Sequence, residues 1–143
     1  MPTRKIRDVI THQTILTASA DLSVREAARR MAATRVGSIM ITDGGTLAGI
    51  FTERDGLVRV LAAGLDPETT TLAQVMTSTP ITASPESPLG HALHMMNEGG
   101  FRHVPIVENG RPVGMVSARD ALGPEIVAFE GELQQRETIT ELL

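Results

Sequence analysis

Two stretches of the chain set apolar residues at helical spacing along one face. They are Val24, Ala27, Ala28 and Met31, then Leu89, Ala92, Leu93 and Met96. Each stripe predicts an amphipathic helix. Ser23-Val24-Arg25-Glu26 reads as a capping box for the first, whereas Ser87 caps the second with Pro88 at its first helical position. A short extended piece precedes each helix, Thr14-Ile15-Leu16 in one case and Pro80-Ile81-Thr82 in the other. Two apolar runs follow each helix. Ser38 to Thr42 leads through Asp43-Gly44-Gly45 to Leu47 to Thr52, and His103 to Val107 leads through Glu108-Asn109-Gly110 to Pro112 to Ser117. Gly-Gly and Asn-Gly are hairpin signals, so each run pair predicts two strands joined by a tight turn. A further helix begins near Arg54 and near Arg119.

These elements recur because the chain repeats itself. Thr17-Ala18-Ser19 laid over Thr82-Ala83-Ser84 carries Ala27 onto Ala92, Met31 onto Met96 and Ile41 onto Ile106, without a gap. Gly49 then meets Gly114, and Arg54-Asp55 meets Arg119-Asp120. The organisation expected is α/β, with a first β-α-β-β-α unit and N-terminal segment over 1–66, a second unit over 67–123 and a helical tail over 124–143. The connection Gly64 to Thr71 is polar, turn-rich and too short for a free linker. Neither unit alone has the length for a sizeable core, so the two are expected to pack face to face about a pseudo-twofold axis. Ile126, Phe129 and Leu133 give the tail one apolar side, suited to packing on a partner subunit.

Composition narrows the function. Of 143 residues, 2% are aromatic, with no Trp or Tyr, and the net charge is −4. Stacking on single-stranded nucleic acid and electrostatic docking on a duplex are both disfavoured. The absence of cysteine removes disulfides, thiolate catalysis and Cys-based metal sites. Neither a signal peptide nor an apolar run of membrane-spanning length is found, and a cytoplasmic protein without membrane insertion is expected. No nucleophile, base and orienting group assemble, so no enzyme activity is expected. His91 and His94 have the spacing of helical metal ligands, but they match Glu26 and Arg29, expected at the surface, and no third ligand accompanies them. Gly44-Gly45 with Gly49 lies in a hairpin without a following lysine, which makes it a turn and not a phosphate loop.

Gly49-Ile50-Phe51-Thr52-Glu53-Arg54-Asp55 and Gly114-Met115-Val116-Ser117-Ala118-Arg119-Asp120 close the two units with one pattern: glycine, an apolar pair, a hydroxyl residue, two variable positions and Asp. With Val75-Met76-Thr77 and Phe101 to Val107, they make roughly residues 5 to 123 resemble a tandem pair of CBS motifs, the Bateman module. The resemblance implies a regulatory module, an energy or metabolite sensor, that binds AMP, ADP, ATP, NAD or S-adenosylmethionine in clefts between the motifs. It also implies a small stand-alone homodimer, with an unidentified regulated protein as a further partner. The tail, following Asp120, is a candidate output element. The alternative is a ligand-free dimerisation scaffold.

Thr52 with Asp55, and Ser117 with Asp120, also fit simple helix capping, worth about 1 kcal/mol. The two roles are compatible. Free N–H groups at a helix start favour an anion, while an Asp carboxylate repels phosphate but suits the two hydroxyls of a ribose. By the resemblance, adenine lies near Ile15 or Ile81, and Thr79, Pro80, Val104 and Pro105 join the binding residues. Arg102-His103, the basic pair before the central strand, would contact phosphate, and its first-unit counterpart is Gly37-Ser38. The site around Ser117 and Asp120 is therefore expected to be the stronger. Arg54 and Arg119 either assist or remain solvated surface residues.

Overall fold

The computed structural model describes residues 4–118 and 131–136. The first unit contains β1 (Thr17–Ala18), α2 (Val24–Thr34), β2 (Ser38–Asp43), β3 (Thr46–Thr52) and α3 (Glu53–Asp55), which continues as a π-helical turn over Gly56–Leu61. The second contains α5 (Leu89–Gly99), β5 (His103–Glu108) and β6 (Arg111–Ser117). Before the units come α1 (Ile6–Ile10) and, in the connection, α4 (Leu72–Val75) with β4 (Thr77–Ser78). The fold is mixed α/β with two tandem units, as the pattern predicts. Among the described residues no helix is long and apolar enough to cross a membrane.

The units match in detail. Both hairpins turn through two residues of positive φ, Gly44-Gly45 and Asn109-Gly110, the backbone that the twist of paired strands demands. Both carry a register shift at one place, Ile41/Thr42 and Ile106/Val107. Both long helices end on a left-handed residue, Arg35 and Gly100. Glu53 N–H donates to Gly37 C=O at 2.9 Å, and Ala118 N–H donates to Arg102 C=O at 3.0 Å, which pins the start and end of each hairpin together.

The two units exchange the segments that precede them. α1 packs on the second unit and α4 on the first: Leu72 and Val75 complete one core with Ala27, Met31, Ile39 and Phe51, while Ile6 and Ile10 complete the other with Ala92, Val104, Ile106 and Val116. These segments also satisfy helix starts that would otherwise leave bare donors. Val24 N–H donates to Thr70 C=O and Leu89 N–H to Arg4 C=O, each at 2.9 Å. Gly49 and Gly114 permit the close approach. A Cβ on Gly49 would meet Met76 Sδ at 2.6 Å and Thr77 O at 2.8 Å, and one on Gly114 would meet Ile10 Cγ2 at 2.6 Å. Ion pairs add to the hold on α1. Arg7 reaches Glu86 and Glu108, and its hydrogen bonds keep the Glu86 carboxyl below the usual carboxylate range.

Four local expectations need correction. The extended pieces lie later than Thr14 to Leu16 and Pro80 to Thr82: Thr17 and Ala18 pair with Met40 and Ile41, and Ala83 bridges Ile106. Apolar character at Ile15 and Ile81 suggested strands, whereas both side chains are exposed. Pro88 is the N-cap and Leu89 the first helical residue of α5, because Arg4 C=O supplies the acceptor that Ser87 was assigned. Ser23 does accept from Glu26 N–H at 3.1 Å, but the Glu26 carboxylate turns to Arg29 and Arg30 instead of closing the box. Residues 131–136 of the tail are helical and Glu132 bonds His94 at 2.7 Å, so this stretch lies against α5 of its own chain. The helix expected near Arg119 falls outside the described residues.

Candidate functional site

The end of β3 and the end of β6 each border a cleft between the units. Cleft one, about 960 Å³, is bounded by Thr52, Arg54 and Asp55 from the first corner and by Thr79, Pro80 and Ile81 from the connection. Ile50, Leu57 and Phe101 add apolar wall. Cleft two, about 550 Å³, is its symmetry counterpart. Gln13 to Leu16 from the N-terminal segment face Gly37 and Ser38, with Met115, Ser117 and Ala118 beyond. Both volumes lie in the range of small-molecule sites.

Local chemistry fixes the corner of cleft one. Thr52 Oγ1 accepts from Asp55 N–H at 3.2 Å, and Asp55 Oδ2 accepts from Thr52 N–H at 2.9 Å. This reciprocal box holds two orphan donors of α3. Asp55 Oδ1 lies 3.6 Å from Arg59 Nε, whose Nη1 also donates to the Val75 and Met76 carbonyls at 3.1 and 3.2 Å. The carboxylate is thus held by its own helix start and still borders open space. An ionised carboxyl has about four acceptor positions, so the cap leaves capacity for a ligand hydroxyl. Arg54 is less a free surface cation than its motif suggests, since its guanidinium reaches Gly100 C=O in the other unit at 3.5 Å. Thr79 sits at φ +49, a left-handed conformation that is strained for a β-branched residue.

Cleft two is closed differently. Where β4 pairs Thr77 with Ile50 as backbone, the Gln13 side-chain amide does the same work on Met115, accepting from its N–H at 2.9 Å and donating to its C=O at 2.6 Å. Gly37 leaves room there for the ends of two side chains. A Cβ would stand 2.9 Å from Glu53 Oε1 and 3.3 Å from His103 Nε2.

Of the residues picked from sequence, Thr52, Arg54, Asp55, Thr79, Pro80 and Ile81 border cleft one, and Ile15, Gly37, Ser38 and Ser117 border cleft two. Val104 and Pro105 border neither. Both are fully buried; Val104 belongs to the second core, and Pro105 C=O accepts from Ala83 N–H. Arg119 and Asp120 lie outside the described residues. Arg102 and His103 border both clefts, which removes the reason for expecting only the Ser117 site to have a basic wall. Glu53, Phe101, Gln13 and Arg35 were missed. Glu53 is a variable position of the closing motif and Phe101 begins the stretch that carries the resemblance, but Gln13 and Arg35 gave no signal short of the fold. His91 is exposed, and among the described residues no group of three or more acidic, His or Cys side chains is arranged to hold a metal.

Comparison with known proteins adds a family. The family model described as CBS domain matches residues 6–61 and 72–123. The CBS domain-containing protein CBSCBSPB2 of Arabidopsis thaliana is 40% identical over 121 residues, 84% of this chain and 23% of that protein. The chain thus spans about a quarter of that relative. Among solved structures, the CBS domain protein PAE2072 from Pyrobaculum aerophilum, complexed with AMP, superposes with a TM-score of 0.78 at 26% identity, over 92% of this chain and 99% of that one. The CBS domain pair of protein MJ0100, in complex with 5′-methylthioadenosine and S-adenosyl-L-methionine, gives 0.75 at 28% identity with the same coverage.

Proposed function

The chain belongs to the CBS domain family, and from that premise we propose that it is a regulatory module binding an adenosyl ligand in the clefts between its two units. AMP, ADP, ATP, NAD and S-adenosylmethionine all carry the required adenine and ribose. The observation that supports this most is Asp55, ionisable, anchored by its cap and bordering a cleft with apolar walls at Ile50 and Ile81. Its carboxylate would accept the ribose hydroxyls, the apolar walls would flank the adenine, and Arg102 would face a phosphate or carboxylate. The AMP and S-adenosylmethionine complexes of the two similar structures support the ligand class. Function follows from preference, not from tightness: ligand changes the signal only if it binds one arrangement of the units better than another.

Thermal melting against AMP, ATP, NAD, S-adenosylmethionine and 5′-methylthioadenosine tests the reading. A true ligand at a hundred times its Kd adds about 2.7 kcal/mol of stability. Asp55→Ala should weaken that ligand at least tenfold, by losing charged hydrogen bonds, and lower stability by about 1 kcal/mol through the lost cap. If nothing in the panel moves the melting temperature, the ligand reading fails and a scaffold remains.

Leu57, Val58 and Leu61 expose 58%, 55% and 73% of their surface on the turn that leaves cleft one. Such an apolar face supports association of two copies. Leu61→Asp should convert a dimer to a monomer in sedimentation; an unchanged mass would count against this face.

A further inference from the structure

The two clefts share a wall. Resting on the adenosyl-ligand reading, we propose that they are negatively coupled, so that an anionic ligand in one weakens binding of a second anion in the other. Glu53, Arg102 and His103 border cleft one and cleft two alike. These side chains stand between the two clefts, beside Gly37, where a Cβ would lie 2.9 Å from Glu53 Oε1 and 3.3 Å from His103 Nε2.

The pseudo-twofold axis explains how this arises. Positions 37 and 102 are counterparts, as are 38 and 103, and 53 and 118, fixed by the matching Glu53-to-Gly37 and Ala118-to-Arg102 backbone bonds. A symmetric protein would carry two cations and two acids there, one set for each cleft. This chain carries one of each. Gly37 has no side chain, Ser38 is buried, and Ala118 offers a methyl group. One guanidinium and one imidazole are therefore shared by the two clefts, beside Arg54, which borders cleft one alone, and Arg35, which borders cleft two alone.

A phosphate that enters first draws Arg102 to its own side. The second cleft then retains the Glu53 carboxylate without that cation, and faces the first ligand's charge across side chains that border both clefts, a short separation over which physiological salt screens incompletely. Both effects act against a second anion. Neither acts on an uncharged nucleoside, because adenosine makes no demand on Arg102. Coupling energies between sites commonly correspond to 5- to 150-fold changes in affinity, and about fivefold or more is expected here.

Calorimetric titration of the intact chain with AMP and with adenosine tests the proposal, together with two variants that each fill one cleft. Ile81→Trp fills cleft one and Ile15→Trp fills cleft two; both positions are exposed, so folding is preserved and is checked by melting. Each filled variant reports the intrinsic dissociation constant of the cleft left open. The product of the two stepwise constants of the parent equals the product of the intrinsic constants for independent sites, because statistical factors cancel. For AMP the parent's product should be at least about fivefold larger, and for adenosine the two products should agree. A parent that takes up one AMP while each variant also takes up one is the extreme of the same coupling. Equal products for AMP would overturn the coupling and leave the ligand reading intact. An excess of the same size for adenosine would remove the charge mechanism, and binding in only one variant would leave a single site with nothing to couple. AMP and adenosine binding to no form of the protein would take down the ligand reading itself.

Discussion

Gly114→Ala is expected to destabilise the protein by about 2–3 kcal/mol, more than a surface substitution of the same size, because it pushes a helix off its own core. The added Cβ would stand 2.6 Å from Ile10 Cγ2, 2.7 Å from its Cβ and 2.9 Å from its Cδ1. Rotating the Ile10 side chain cannot relieve the clash, since one contact is to the branch point Cβ itself. Ile10 is buried on a five-residue helix, and that helix must move as a body. The segment that follows it forms the Gln13 to Leu16 side of cleft two, so ligand bound there should weaken while cleft one is spared. Thermal melting should show a loss of roughly 4–12 °C for a chain of this size. Ile10→Ala alone leaves a cavity, at about 2–5 kcal/mol. Combined with Gly114→Ala it should cost clearly less than the sum, because the new methyl occupies the vacated space. Strict additivity in that double-mutant cycle would mean that the glycine is not there to admit α1.

The same glycine shows what could be read in the chain before its fold. Gly49 and Gly114 fall together at a constant separation of 65 residues, as do the left-handed caps Arg35 and Gly100 and the register shifts after Ile41 and Ile106. Strands, turns and both long helices were legible because each has its own local signal. The exchange of α1 and α4 was not. Those helices are five and four residues long, too short to show a periodicity. Yet a trace was present, one residue out of step. Ile6, Val9 and Ile10 match Leu72, Val75 and Met76 at a separation of 66, so a gapless comparison loses them. Within the site, the motif located Thr52, Asp55 and Ser117. It could not show that Arg102 would border both clefts, since a residue's second neighbour depends on how the units face each other. Val104 and Pro105 went the other way. Adjacency to Arg102-His103 placed them at the site by association, and burial assigns them to the core.

Phe51→Ala should have the largest effect of any single substitution in the first unit, about 3–5 kcal/mol. Only three Phe occur in the chain, and this one is 2% exposed at the centre of its core. Its counterpart in the second unit is Val116, a smaller residue, so the first core depends on a buried ring at a position where the second has an aliphatic side chain. The ring also extends under the corner of cleft one. A Cβ on Gly56 would lie 3.5 Å from Phe51 Cζ, so the turn after Asp55 rests on it. Removing the ring therefore leaves a cavity and unsupports the cap that positions Asp55. Against a typical total stability of about 5–15 kcal/mol, such a loss should lower the urea midpoint severely. Phe51→Leu, which restores most of the volume, should recover more than half of it. The leucine variant also separates packing from geometry. If it regains stability but not ligand affinity in cleft one, the ring has a second role in setting the angle of the Thr52–Asp55 corner. An alanine variant that unfolds near the parent's midpoint would show instead that Leu72 and Val75, arriving from the connection, can close the core without it.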